Sequence, residues 1–111
     1  MRYIADCAEA EGFEHRFDAV GNLFVRSPGN YEQILQVGSH LDTVPRGGLF
    51  DGGAGIVAGL EAIIAVKRSC PALRAGLELI VWRGEESTAY KTLYMGSRAA
   101  FGRANQEQLK N

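Results

Sequence analysis

The sequence predicts an α/β fold, a three-layer arrangement of a mixed sheet with helices, and three observations predict it. Residues 31–37, 53–67 and 77–82 read in turn as strand, helix and strand. That order is a βαβ unit, whose two strands run parallel with a right-handed crossover. Residues 14–18 and 22–25 add a hairpin ahead of it. Length sets the scale, because 111 residues suit one domain that can bury a core without staples.

Each element has its own justification. Residues 1–11 read as a short uncapped helix with Tyr3, Ile4, Cys7 and Ala8 on one face, stopped by Gly12. The hairpin turns through Ala19-Val20-Gly21, and Ser27-Pro28-Gly29-Asn30 is a second turn. After the strand at 31–37 comes a long loop, residues 37–53, VGSHLDTVPRGGLFDGG. The helix at 53–67 is apolar nearly all round, through Ile56, Val57, Leu60, Ile63, Ile64 and Val66, so it should lie against the sheet. Cys70-Pro71 ends it. The stretch Leu77-Glu78-Leu79-Ile80-Val81-Trp82 is mostly apolar and reads as a central strand. Gly96-Ser97-Arg98-Ala99 opens a last helical piece, and residues 106–111 form a polar end. About four strands leave a parallel edge open, so self-association or pairing with a further polypeptide is expected.

Composition excludes several classes. Apolar residues make 46% of the chain and charged residues 23%, a globular rather than a disordered profile. Twelve basic and 13 acidic residues leave a net charge of -1, which favours neither nucleic acid nor an anionic membrane. The expected partner is a small-molecule substrate. No run approaches the roughly 20 apolar residues of a membrane span. Asp6 and Glu9 break any signal peptide, so the cytoplasm is the default compartment. Cys7 and Cys70 are expected to be reduced.

Chemistry gathers where the topology leads. Ligands of open α/β sheets bind outside the carboxyl ends of the strands. His40 and Asp51 lie in the first loop at that edge, and Glu85 and Glu86 in the loop after the adjacent strand. Mixed imidazole and carboxylate donors suit Zn²⁺, Mn²⁺ or Co²⁺, and one aspartate can bridge two ions. Asp42 is placed to accept the free imidazole N–H of His40. Of the paired glutamates, one would bind metal and the other take a proton from water. Each residue alone has a plainer role: Asp51 as a helix cap, Glu85 and Glu86 as a solvated acidic loop, His40 as a bonded loop histidine. Their convergence favours the site. His15 has only the plain reading, and Arg98 fits a surface or helix-dipole role better than a grip on an anionic substrate.

The motifs resemble a known family. Asp18-Ala19-Val20-Gly21-Asn22, Gly38-Ser39-His40-Leu41-Asp42-Thr43-Val44, Gly47-Gly48-Leu49-Phe50-Asp51-Gly52, Gly59-Leu60-Glu61, Glu85-Glu86 and Gly96-Ser97-Arg98-Ala99 are similar to the zinc-peptidase-like (M20-type) amidohydrolases. The nearest branch is the hydantoinase/carbamoylase one, with N-carbamoyl-L-amino-acid hydrolases, allantoate amidohydrolases and β-ureidopropionases. The resemblance implies a zinc-exopeptidase (phosphorylase/hydrolase)-like fold and two ions per complete site. It implies His40 as a ligand of the first metal, Asp51 as the bridge, Glu86 as a ligand of the second, Glu85 as general base and Asp42 behind His40. The implied reaction is hydrolysis of a carbamoyl or amide C–N bond in an N-carbamoyl or ureido amino acid.

Two departures go with it. Chains of this family run several times longer, with a lid domain that dimerises and two further histidines in the metal site. Residues 1–111 are therefore expected to be a single partial catalytic domain, truncated and inactive in isolation. Ser87-Thr88-Ala89-Tyr90 also replaces the glycine- and arginine-containing stretch common after the paired glutamates, which bears on specificity. A split-enzyme subunit, a homo-oligomer, a vestigial non-catalytic domain and a dipeptidase or aminoacylase are the alternatives.

Overall fold

In the computed structural model, which describes residues 1–109, the elements in chain order are α1 (Arg2–Ala10), β1 (Glu14–Phe17), β2 (Leu23–Arg26), β3 (Ile34–His40), α2 (Gly53–Ser69), β4 (Gly76–Trp82), α3 (Ser87–Tyr90), α4 (Met95–Ala100) and α5 (Gln106–Leu109). Of the expected polar end, Lys110 and Asn111 lie outside the described residues. The strands form one sheet in the order β1-β2-β4-β3. β3 and β4 are parallel, with Val37 opposite Leu79 and His40 opposite Trp82, while β1–β2 and β2–β4 are antiparallel. The expected βαβ unit, hairpin and central strand are all present.

Side-chain alternation sorts the layers. Leu23, Val25, Leu77, Leu79 and Val81 point to one face, where Ala5 and Ala8 of α1 and Ile56, Leu60, Ile63 and Ile64 of α2 cover them. Small residues bring the helices close: a Cβ on Gly59 would stand 2.9 Å from Leu79 Cδ1. Phe24, Ile80 and Trp82 point to the other face. There Phe24 meets Trp82 edge-on with centroids 6.1 Å apart, and Phe101, just past α4, tilts against the same indole. α4 thus supplies a third, thin layer. Glu78 is buried on this face and held by Arg26 Nε and Gln36 Nε2, both at 2.6 Å.

Two expectations need correction. The strand expected at residues 31–37 is shifted, because β3 runs as far as β4 partners it, from Ile34 to His40. Tyr31 instead closes the preceding turn, its hydroxyl donating to the Pro28 carbonyl at 2.8 Å. On α1, Tyr3 is 76% exposed, and the inward face is Ala5 and Ala8 flanked by Ile4 and Cys7. α2 lies against the sheet as expected, covering it with one face and leaving Val57 59% exposed. Cys7 and Cys70 are free thiols. Among the described residues no helix is long and apolar enough to cross a membrane.

Candidate metal centre

The parallel pair puts two chain exits side by side. β3 ends at His40, and β4 ends at Trp82, three residues before Glu85. The first exit returns at Asp51, immediately before Gly52 and α2, and Ser39 Oγ donates to the Gly52 carbonyl at 3.0 Å to tie the two ends together. Ligand atoms of His40, Glu85 and Glu86, all half-buried, lie within 4.8 Å of one another. His40 Nε2 stands 3.7 Å from Asp51 Oδ1 and 3.8 Å from Glu85 Oε2. The donor set, one imidazole with three carboxylates, fits a divalent ion of the borderline class.

Backbone groups fix the tautomer. His40 Nδ1 lies 2.6 Å from the Asp42 carbonyl, which can only accept, so Nδ1 carries the hydrogen and the Nε2 lone pair faces the cluster. The sequence pointed to the Asp42 carboxylate for this bond, but that group is 3.8 Å from Nδ1. It is engaged across the site instead, accepting the backbone N–H of Glu85 at 3.1 Å and of Glu86 at 2.8 Å. Asp42 therefore orients the imidazole with its carbonyl and the glutamate loop with its side chain.

Asp51 is not a helix cap. The N-cap of α2 is Gly52, with no side-chain cap bond, and Asp51 Oδ2 accepts from Thr43 Oγ1 at 2.7 Å and Val44 N–H at 3.2 Å. These donors hold its carboxyl below the usual aspartate range, the Thr43 hydroxyl contributing most. Glu86 moves the other way: partial burial and the neighbouring charges of Asp51 and Glu85 raise its carboxyl. Two glycines make the packing possible. A Cβ on Gly47 would collide with Thr43 Oγ1, and one on Gly52, whose φ is +70°, would collide with the His40 carbonyl.

The sequence-derived residues His40, Asp42, Asp51, Glu85 and Glu86 thus come together, and His15 does not. It sits in β1, at the opposite edge of the sheet, with Nδ1 3.0 Å from Glu9 Oε1. Arg98 lies in the last turn of α4, where its charge complements the helix dipole. Thr43 was missed as a supporting residue. Its place between Asp42 and the glycine-rich run was the available signal.

The sequence pattern of peptidase family M28 matches residues 22–111. The chain belongs to peptidase family M28. This family is of metallohydrolase type, in keeping with the donor set. Among relatives of this M28 chain, the allantoate amidohydrolase of Escherichia coli (strain K12) is 36% identical over 104 residues, covering 92% of this chain and 25% of that protein. A ureidoglycolate hydrolase of Oryza sativa subsp. japonica is 38% identical over 103 residues, covering 91% and 21%. A crystal structure of a hydantoinase/carbamoylase family amidase from Burkholderia ambifaria superposes with a TM-score of 0.85 at 33% identity, covering 96% of this chain and 26% of that one. The mixed sheet is the expected one, and these similar proteins carry names of the branch that the motifs resemble. The M28 chain spans about a quarter of the length of the curated relatives it matches.

Proposed function

We propose that residues 1–111 are part of the catalytic domain of a metal-dependent hydrolase acting on linear amide or carbamoyl C–N bonds, with N-carbamoyl or ureido amino acids as substrates. The observation that carries this reading is the convergence of His40, Asp51, Glu85 and Glu86 at the carboxyl ends of two parallel strands. The names of the similar proteins supply the substrate class. His40 would ligate one ion, Asp51 would bridge, and Glu86 would ligate a second, with zinc, manganese or cobalt as the metal. Bound divalent ions supply charge that polarises a carbonyl and acidifies water.

The chain's own residues do the rest. His40 presents Nε2 because Asp42 takes its Nδ1–H. The Thr43 hydroxyl favours the ionised form of Asp51, the form a bridging carboxylate takes. Glu85 is the general base, taking the proton of the attacking water and returning it to the leaving nitrogen. For a carbamoyl substrate the products are an amino acid, carbon dioxide and ammonia. Three ligands make part of a two-ion site, so the remaining donors and the lid are assigned to further polypeptide, in the same chain or in a second subunit. The compartment in this reading is the cytoplasm.

Zinc titration by calorimetry should show weak binding to the 111-residue chain, and none after His40→Ala. Undiminished binding in that variant would refute the ligand assignment, and robust hydrolysis of N-carbamoyl amino acids by the isolated chain would refute the partial site. The M28 match favours a second reading, a dipeptidase or aminoacylase using the same five residues. A completed enzyme that cleaves dipeptides and leaves N-carbamoyl amino acids intact decides for it.

A further inference from the structure

Glu85 and Glu86 reach the site on a four-residue exit from β4, and its far side is held by Asn22, which is fully buried. The Asn22 carboxamide Nδ2 donates to Asp18 Oδ2 at 2.7 Å and to the Gly96 carbonyl at 2.9 Å, while Oδ1 accepts the Arg83 N–H at 2.9 Å. Two acceptors face the nitrogen and a donor faces the oxygen, so only one orientation of the amide satisfies the network. Asp18 is fixed in turn, its Oδ1 accepting the N–H of Val20 at 3.1 Å and of Asn22 at 2.9 Å. Gly96 has to be bare, because a Cβ there would collide with Asn22 Oδ1 and the Arg83 carbonyl. Beyond Arg83, Gly84 is buried in a left-handed conformation at φ +67°. Its carbonyl accepts from Met95 N–H at 2.8 Å, and the Glu85 carbonyl accepts from Tyr94 N–H at 3.0 Å. With Asp42 on the near side, the glutamate exit is clamped from both directions.

We propose that Asn22 is a positioning residue for the metal centre, its buried carboxamide fixing Arg83 and Gly96 and thereby setting where Glu85 and Glu86 stand. This rests on the reading of the cluster as a metal site. The hairpin that carries Asn22 makes no ligand of its own, yet one side chain joins it to backbone 61 and 74 residues further on. Removing the nitrogen strands the buried Gly96 carbonyl and removing the oxygen frees the part-buried Arg83 N–H, and the relief open to either is a shift of the exit that bears the glutamates.

The test is a cobalt titration of the 111-residue chain, read by visible absorption, on the parent and on Asn22→Asp and Asn22→Ala. The aspartate keeps the acceptor for Arg83 and turns an oxygen toward Asp18 and Gly96; the alanine removes all three bonds. Both variants should retain the far-ultraviolet dichroism of the parent, bind cobalt about 10- to 100-fold more weakly, and change the shape of the absorption band. A core variant, Leu79→Ala, should lower the melting temperature without that loss. Folded Asn22 variants with the parent's affinity and band overturn the proposal. If neither variant folds, hydrogen exchange in the parent decides: an Arg83 amide protected like that of Leu79 supports the lock, and fast exchange overturns it. A parent that binds no cobalt overturns the functional reading and the role of Asn22 with it.

Discussion

At the scale of single residues, the site is a balance between opposed carboxyls. Glu86 is raised, so the folded metal-free chain favours its protonated form more than the unfolded chain does. Its stabilising contribution is present below the ordinary glutamate range and is lost as pH rises through the raised value. Glu86→Gln should therefore melt at a higher temperature than the parent near neutral pH, with the difference vanishing by about pH 4. Melting curves recorded against pH check this; a gain that persists in acid counts against it. Asp51 is depressed, so its contribution is present above the ordinary aspartate range and fades as pH falls through the lowered value. Thr43→Val should remove the hydroxyl that contributes most to this, and weaken zinc binding in calorimetry without unfolding the chain. Gly52→Ala combines a left-handed φ with a collision at His40. It should cost roughly 1–3 kcal/mol in urea unfolding and weaken zinc binding at once. His40, Asp51 and the glutamates were legible in the sequence because their types are the chemistry. The partner of each was not, since a carbonyl such as that of Asp42 has no letter of its own.

At the scale of elements, pairing overrode local pattern. The strand signal at residues 31–37 missed the end of β3, which extends to His40 because β4 offers a partner for every residue from Ile34. That shift makes His40 part of the sheet and not of a loop, which gives its backbone a fixed position. Helix α2, apolar nearly all round in sequence, lies against the sheet as its composition implies and leaves Val57 exposed. The contrast between strands is measurable. Leu79→Ala in central β4, where the side chain is fully buried, should cost about 2–5 kcal/mol. Leu35→Ala in β3, 57% exposed, should stay within about 0.5 kcal/mol. Equal losses in urea unfolding would mean that β3 is as enclosed as β4.

At the scale of the whole molecule, the sheet ends at β3 with Leu35 and Val37 exposed, and no strand covers that edge among the described residues. A seven-residue parallel strand left open in this way is a template for pairing. Sedimentation of the 111-residue chain should show concentration-dependent association, reduced by Leu35→Lys; a compact monomer at all concentrations would count against it. The sequence by itself determined the βαβ order, the central strand and the five residues at its open end, because hydrophobic period and residue type are local properties. Only the tertiary structure decided that Asp42 divides its bonds between His40 and the glutamate exit, that Asp51 answers to Thr43 and not to α2, and that Asn22 binds the far side of the same exit. The bonds from Asp42 to the glutamate exit and from Asn22 to Arg83 and Gly96 join groups 43 to 74 residues apart, and even the local ones depend on a loop conformation that no residue type spells out.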